Sequence, residues 1–170
     1  PQALLLVEFT GEELTQLTKQ LGALEELVGS NSLVKVTDKQ SQNAVWNVRK
    51  QGLNIVMSMK GDGKPISFVE DCAVKLKDLP EYTGRLDEIF RQHGTSGTWY
   101  AHASVGTLHV RPILNLKDPI AAKNLRSIAE ECFQMVRDYR GSHSGEHGDG
   151  ITRSEFHEAM FGKRIVRAFE

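Results

Sequence analysis

The chain has 170 residues and a mass of 19.0 kDa, which is room for one ordinary domain. Its longest apolar run, Ala3 to Val7, is far short of the roughly 20 residues of a membrane-spanning helix. Lys plus Arg number 21 against 22 Asp plus Glu, a near-neutral balance that creates no broad field for a polyanion and sets nucleic acid aside as a partner.

Taken in chain order, Ala3 to Phe9 reads as a buried strand. Without a basic leader or a cleavage site it does not read as a signal peptide, and a cytoplasmic location is expected. Leu14, Leu17, Leu21, Leu24 and Val28 recur at helical spacing over residues 12–28. Residues 32–37 read as a second strand, and Asp38 as the N-cap of a helix carrying Val45, Trp46 and Val48. Residues 53–59 and 66–70 are two apolar runs separated by the Gly61 to Pro65 turn, and both read as short strands. A helix is expected over 79–93, strands over 98–103 and 107–114, and a helix over 119–139 that Gly141 ends. Residues 141–150 form a loop rich in glycine, serine and histidine, and Ser154 caps a last helix through Phe169. Strands mixed with helices and one hairpin indicate an α+β fold. Cys72 and Cys132, 60 residues apart, fit neither a zinc ribbon nor a disulfide framework, so both are expected to be reduced. The chain opens at Pro1 and stops at Glu170 within a helical pattern, as an excised single domain over 1–170 would.

His102 and His109 lie on the two arms of the hairpin. If Val105-Gly106 were its two-residue loop, they would face each other directly, with Cβ atoms roughly 4.5–5.5 Å apart, near enough to share a metal ion. Val105 suits a tight turn poorly, which leaves a longer loop open. Two histidines seven residues apart are equally read as ordinary partly buried side chains. Gly145-Glu146-His147-Gly148-Asp149-Gly150 adds a carboxylate and an imidazole between glycines that permit close backbone approach. Two His and one Glu leave coordination positions open, as in a reactive site. The alternative is a solvated surface loop, and a loop so rich in glycine has little of its own to hold it. Arg49 and Lys64 stand out as long cations whose simplest reading is surface charge.

These segments resemble a known family. Tyr-Ala-His102-Ala-Ser-Val-Gly106-Thr-Leu108-His109 is similar to the His-x-Gly-x-Gly-x-Leu-His segment of FAD-linked oxidases. Ser144-Gly-Glu146-His147-Gly148-Asp-Gly150 is similar to their Ser-Gly-Glu-His-Gly-x-Gly segment, and Trp46-x-x-Arg49 followed by Lys64 is similar to their Trp-x-x-Arg helix and downstream lysine. The family includes D-lactate dehydrogenase, the glycolate oxidase large subunit and D-2-hydroxyglutarate dehydrogenase. The resemblance implies its C-terminal substrate, or cap, domain: a ferredoxin-like antiparallel sheet packed with helices, without the FAD-binding domain. The form of the second motif looks most like bacterial enzymes fused to an iron-sulfur portion, peripheral to the inner membrane at most.

The implied roles are as follows. His102, His109 and Glu146 would hold a divalent ion, zinc or manganese first, against the oxygens of a small 2-hydroxy acid. His147 would take the hydroxyl proton while hydride passes to FAD. Arg49 and Lys64 would hold the substrate carboxylate. Arg111, two residues beyond His109, would favour a second carboxylate, as in 2-hydroxyglutarate. Ser104-Val105-Gly106-Thr107 departs from the family's Gly-Asp-Gly-Asn, preserving ligand spacing but changing the loop. Two other readings compete: a non-catalytic α+β binding module, and a free-standing metal hydrolase with His147 as its base.

Overall fold

The computed structural model describes residues 3–169. They gather into two compact units, one ending at Gly52 and the other starting at Leu53. In the first unit, α1 (Leu14–Val28) turns Leu17, Leu21 and Leu24 to its more protected side, and Gly29, at φ +82°, ends it. A single 3-10 turn at Ser30–Ser32 follows, then α2 (Lys39–Met57), whose last turn belongs to the second unit. Asp38 caps α2 as expected, accepting the Ser41 N–H at 2.8 Å. None of residues 3–52 is fully buried.

Three expected strands change here. Residues 3–9 and 33–37 are irregular, because no described strand offers either of them a ladder partner. Residues 53–57 are helix, because nothing after Gly52 breaks the hydrogen-bond series, and Ser58 N–H still reaches the Asn54 carbonyl at 3.1 Å.

The second unit carries β1 (Lys64–Pro65), β2 (Cys72–Ala73), α3 (Leu79–Gln92), β3 (Gly97–Thr98), β4 (Ala101–His102), β5 (Thr107–Leu108) and β6 (Arg111–Leu114). After these come α4 (Pro119–Asp138), α5 (Gly150–Arg153), α6 (His157–Phe161) and α7 (Lys163–Phe169). The strands form two antiparallel sheets of order β1-β6-β3 and β2-β5-β4. The α+β class is borne out, with strands far shorter than the apolar runs suggest. Residues 66–70, expected as a strand, bury Phe68, Val69 and Glu70 but are nearly free of ladder bonds; Ile66 N–H to the Pro112 carbonyl is the link that joins them to β6.

α4 has the intended start: Asp118 accepts the Ile120 N–H at 2.9 Å, and Pro119 occupies the first turn, where its missing N–H does no harm. Its apolar face, with Ile128, Cys132, Phe133 and Val136, packs into a core shared with Tyr82, Leu86 and Phe90 of α3. Tyr139, just past α4, meets Tyr82 edge-on at 5.4 Å. The continuous helix expected after Ser154 is instead broken, by a 3-10 turn at Ser154–Phe156 and by Gly162 at φ +79° between α6 and α7. Both cysteines are free and buried, and burial pushes the Cys72 thiol up to about 12, so it stays protonated at neutral pH.

Candidate metal and proton-transfer site

The hairpin register departs from the direct facing of the histidines. His102 pairs with Thr107 and Ala101 with Leu108, around a 3-10 turn at Ala103–Val105 and Gly106 in the left-handed region at φ +74°. The loop therefore has four residues, because Val105 does not take a positive φ and Gly106 does. His109 lies two residues beyond Thr107 and so on the same face as His102, diagonally placed. Their rings still meet edge-on, centroids 5.2 Å apart.

Loop 141–149 brings Glu146 to that face. Its Oε1 lies 3.1 Å from His109 Nε2, 3.2 Å from His102 Nε2 and 3.4 Å from His147 Nε2. Donor atoms around an ion with bonds of about 2.0–2.1 Å sit roughly 3.3 Å apart in a tetrahedron, so the first two separations already suit a zinc-sized ion. One nitrogen or oxygen from each of His102, His109 and Glu146 falls within 4.8 Å of the others. His147 stacks on His109, rings 4.3 Å apart and 11° from parallel, leaving its own edge beside the cluster.

Two carboxylates that sequence reasoning missed hold this arrangement. Asp71, 0% exposed, accepts the backbone N–H groups of Gly145 (2.9 Å), Glu146 (2.9 Å) and His147 (3.0 Å). A glycine-rich loop expected to have little to hold it is thus fastened by one carboxylate. Gly145 is required there, since a Cβ would stand 2.7 Å from Asp71 Oδ1. Asp71 itself takes φ +72°, a conformation aspartate tolerates better than most residues. Burial alone would raise its pKa, but the N–H groups of Glu146, His147 and Gly145 more than offset that and hold the carboxyl below its ordinary range. Arg153, also buried, completes the frame. It donates to the carbonyls of Glu70 (2.9 Å) and Gly148 (2.5 Å) and to Asp149 Oδ1 (2.8 Å).

The second missed residue is Glu70. Its Oε1 lies 3.6 Å from His147 Nδ1, and its Oε2 lies 2.6 Å from Arg111 Nη2. Burial opposes its ionisation, and the Ser67 hydroxyl and the Arg111 guanidinium outweigh that, leaving the pKa lowered. Arg111 is therefore placed beside Glu70 with its charge already balanced; its Nε is buried without a hydrogen-bond partner among the described residues.

The remaining two cations are Lys64 and Arg49. Lys64 donates to the Met59 carbonyl from β1. Arg49 belongs to the first unit, its guanidinium 5.9 Å from the centre of the Trp46 ring. The signal for Asp71 and Glu70 in the sequence is slight: two carboxylates directly after an apolar run.

Burial lowers the pKa of both His109 and His143 below the ordinary 6.5, so the folded state favours their neutral forms. The unfolded chain then takes up protons first. Their contribution to stability is complete above about pH 7 and is lost as pH falls through 6.5 toward the folded-state values. Asp71 and Asp149, depressed below 3.8, and Glu70, depressed below 4.5, give up theirs only at lower pH still. The thermal midpoint of the chain in chelator is expected to start falling near pH 6.5 and to fall again below about 4.5. A midpoint constant from pH 8 to pH 5 would contradict the buried-imidazole account.

A family model described as "FAD linked oxidases, C-terminal domain" matches residues 1–170. The chain is 30% identical over 181 residues to a D-2-hydroxyglutarate dehydrogenase of Pantoea ananatis, covering 97% of this chain and 18% of the relative. It is 31% identical over 165 residues to one from Haemophilus influenzae, covering 92% and 16%. It is 21% identical to the glycolate oxidase subunit GlcD of Bacillus subtilis, covering 99% and 36%. The chain thus spans less than a fifth of the length of the two dehydrogenases. No helix among the described residues is long and apolar enough to cross a membrane.

Proposed function

The chain belongs to the C-terminal domain family of FAD-linked oxidases, and from that premise we propose that residues 1–170 form the substrate domain of a flavin-dependent dehydrogenase or oxidase of D-2-hydroxy acids. The observation that carries the reading is the convergence of the His102, His109 and His147 imidazoles on one oxygen of Glu146. His102 Nε2, His109 Nε2 and Glu146 Oε1 would hold a divalent ion, zinc or manganese. When bound, that ion supplies a Lewis acid for the carboxylate and 2-hydroxyl oxygens of the substrate. Flavin, held chiefly by a separate domain, supplies the hydride acceptor.

The chain's own part is proton transfer and orientation. His147 receives the hydroxyl proton at Nε2 while its Nδ1–H faces Glu70, an arrangement of base and orienting carboxylate. The stacked His109 fixes the ring plane. Asp71 fixes the height of the backbone that carries Glu146 and His147. Glu70 keeps Arg111 beside the base, and the unpartnered Nε of Arg111 favours a substrate with a second carboxylate, such as 2-hydroxyglutarate. In the intact enzyme Arg49 and Lys64 would hold the first carboxylate, an iron-sulfur portion would take the electrons, and the location would be cytoplasmic or peripheral to a membrane.

Zinc or manganese bound per chain after dialysis tests the site. Glu146→Ala and His109→Ala are each expected to weaken binding there by at least about 100-fold, since even outer-shell changes at metal sites cost 10–100-fold. A folded chain with an ordered 145–150 loop that binds neither metal would favour the non-catalytic module. Ester hydrolysis by the zinc-loaded chain would favour the hydrolase. Tighter binding of D-2-hydroxyglutarate than of D-lactate to the loaded chain, reduced in Arg111→Gln, is the result expected for a diacid.

A further inference from the structure

His143 and Asp149 of loop 141–149, with His157 of α6, form a second group of side chains of metal-ligating type that the proposed reaction does not use. His143 is 1% exposed, and neither of its ring nitrogens has a hydrogen-bond partner among the described residues. A buried imidazole with both nitrogens unpaired is costly unless something outside the side-chain set pairs with it. Its Nε2 points toward Asp149, 4.0 Å from Oδ1. His157, on α6, comes to the other oxygen of the same carboxylate, Nε2 2.7 Å from Oδ2. The two imidazole rings are parallel within 4°, centroids 5.8 Å apart, and one ligand atom from each of His143, Asp149 and His157 lies within 4.8 Å of the others.

The geometry points to a second divalent-metal site in which His143, Asp149 and His157 bind a zinc-class ion. Opening the contact of His157 Nε2 with Asp149 Oδ2 from 2.7 Å by about 0.6 Å would reach the roughly 3.3 Å spacing of a tetrahedral site. Asp149 Oδ1 already accepts from Arg153 Nε at 2.8 Å, so Oδ2 is the oxygen for the ion, and the guanidinium orients the ligand carboxylate from outside. The shell is apolar. Phe133 lies 5.0 Å from the His143 ring, and Phe161 and Phe169 lie 5.6 and 5.8 Å from His157. Aromatic rings on both imidazoles suit a structural ion better than a reactive one.

The ion would tie α6 to the far end of the loop that presents Glu146 and His147. It shares no ligand with the site proposed above and does not depend on it.

Zinc retained by the full chain after dialysis separates the two sites. About two equivalents are expected for the unmodified chain, one for Glu146→Ala, one for His157→Gln and none for the double substitution. Glutamine keeps a donor for Asp149 while removing the imidazole. Cobalt substituted into Glu146→Ala should give a tetrahedral absorption spectrum, and zinc should raise its thermal midpoint by several degrees; both effects should vanish in the double variant. Failure of Glu146→Ala to bind zinc, or equal zinc in that variant and the double one, would overturn the second site. Zinc unchanged by Glu146→Ala but lost in His157→Gln would support it while removing the first.

Discussion

Asp71→Ala is expected to destabilise the second unit by about 3–5 kcal/mol, because removing one side of a buried charged network strands the groups that remain. Three backbone N–H groups, of Gly145, Glu146 and His147, lose their acceptor at once. The Arg153 guanidinium, 3.6 Å from Asp71, loses a counter-charge in the same buried space. A fall of roughly 10 °C or more in the melting midpoint should result. Amide exchange at residues 145–147 should accelerate even well below that temperature, since the loop then has no tertiary anchor for those groups. Metal affinity at Glu146 should drop by about 10–100-fold, the usual consequence of freeing a ligand from its support. Asp71→Asn separates charge from shape. Its amide nitrogen would face backbone donors, so it should recover only part of the loss. An Asp71→Ala chain with an unchanged melting midpoint and unchanged zinc affinity would remove Asp71 from the frame.

The second large effect is expected at Gly106. Its φ of +74° is disfavoured for any residue with a side chain, by about 1–2 kcal/mol. A Cβ there would also lie 2.0 Å from the Val74 carbonyl oxygen, a backbone atom that cannot rotate away. Gly106 accepts the Val74 N–H at 3.1 Å in the same place, so relieving the clash breaks the bond that joins the turn to the segment after β2. Gly106→Ala is expected to cost about 3 kcal/mol or more. Because the turn sets the diagonal placement of His102 and His109, weaker zinc binding should accompany the loss of stability. Calorimetry paired with zinc titration checks this. Strong zinc binding in a destabilised Gly106→Ala chain would show that the imidazoles find each other without the turn.

The candidate ligands were legible in the sequence because they sit in two short motifs whose chemistry is local: a histidine pair on a hairpin, and a Glu-His pair between glycines. What holds them was not legible. Asp71 reaches Gly145 across 74 positions, and no periodicity links them. The α+β class, α1, α3, α4 and the Asp38 cap followed from spacing and capping chemistry. Residues 53–57 misled because an apolar run of that length suits a buried strand or a helix end equally, and helical bonding carried through Gly52. Residues 3–9 have strand-like composition, yet composition does not supply a neighbouring strand. The register failed at Val105, where a two-residue turn would have demanded a backbone conformation that a β-branched side chain resists.

The distance in sequence between Asp71 and the loop it fastens also bears on the order in which the molecule assembles. Local helices such as α3 and α4 form from neighbouring residues, whereas bringing residue 71 to residues 145–147 closes a long stretch of chain against its entropy before any bond rewards it. The imidazole pair, joined through one short turn, comes together early, and its carboxylate partner arrives late. A metal ion present while the chain is being made would therefore meet two histidines before it meets Glu146, and its grip would tighten as the last topological step is completed.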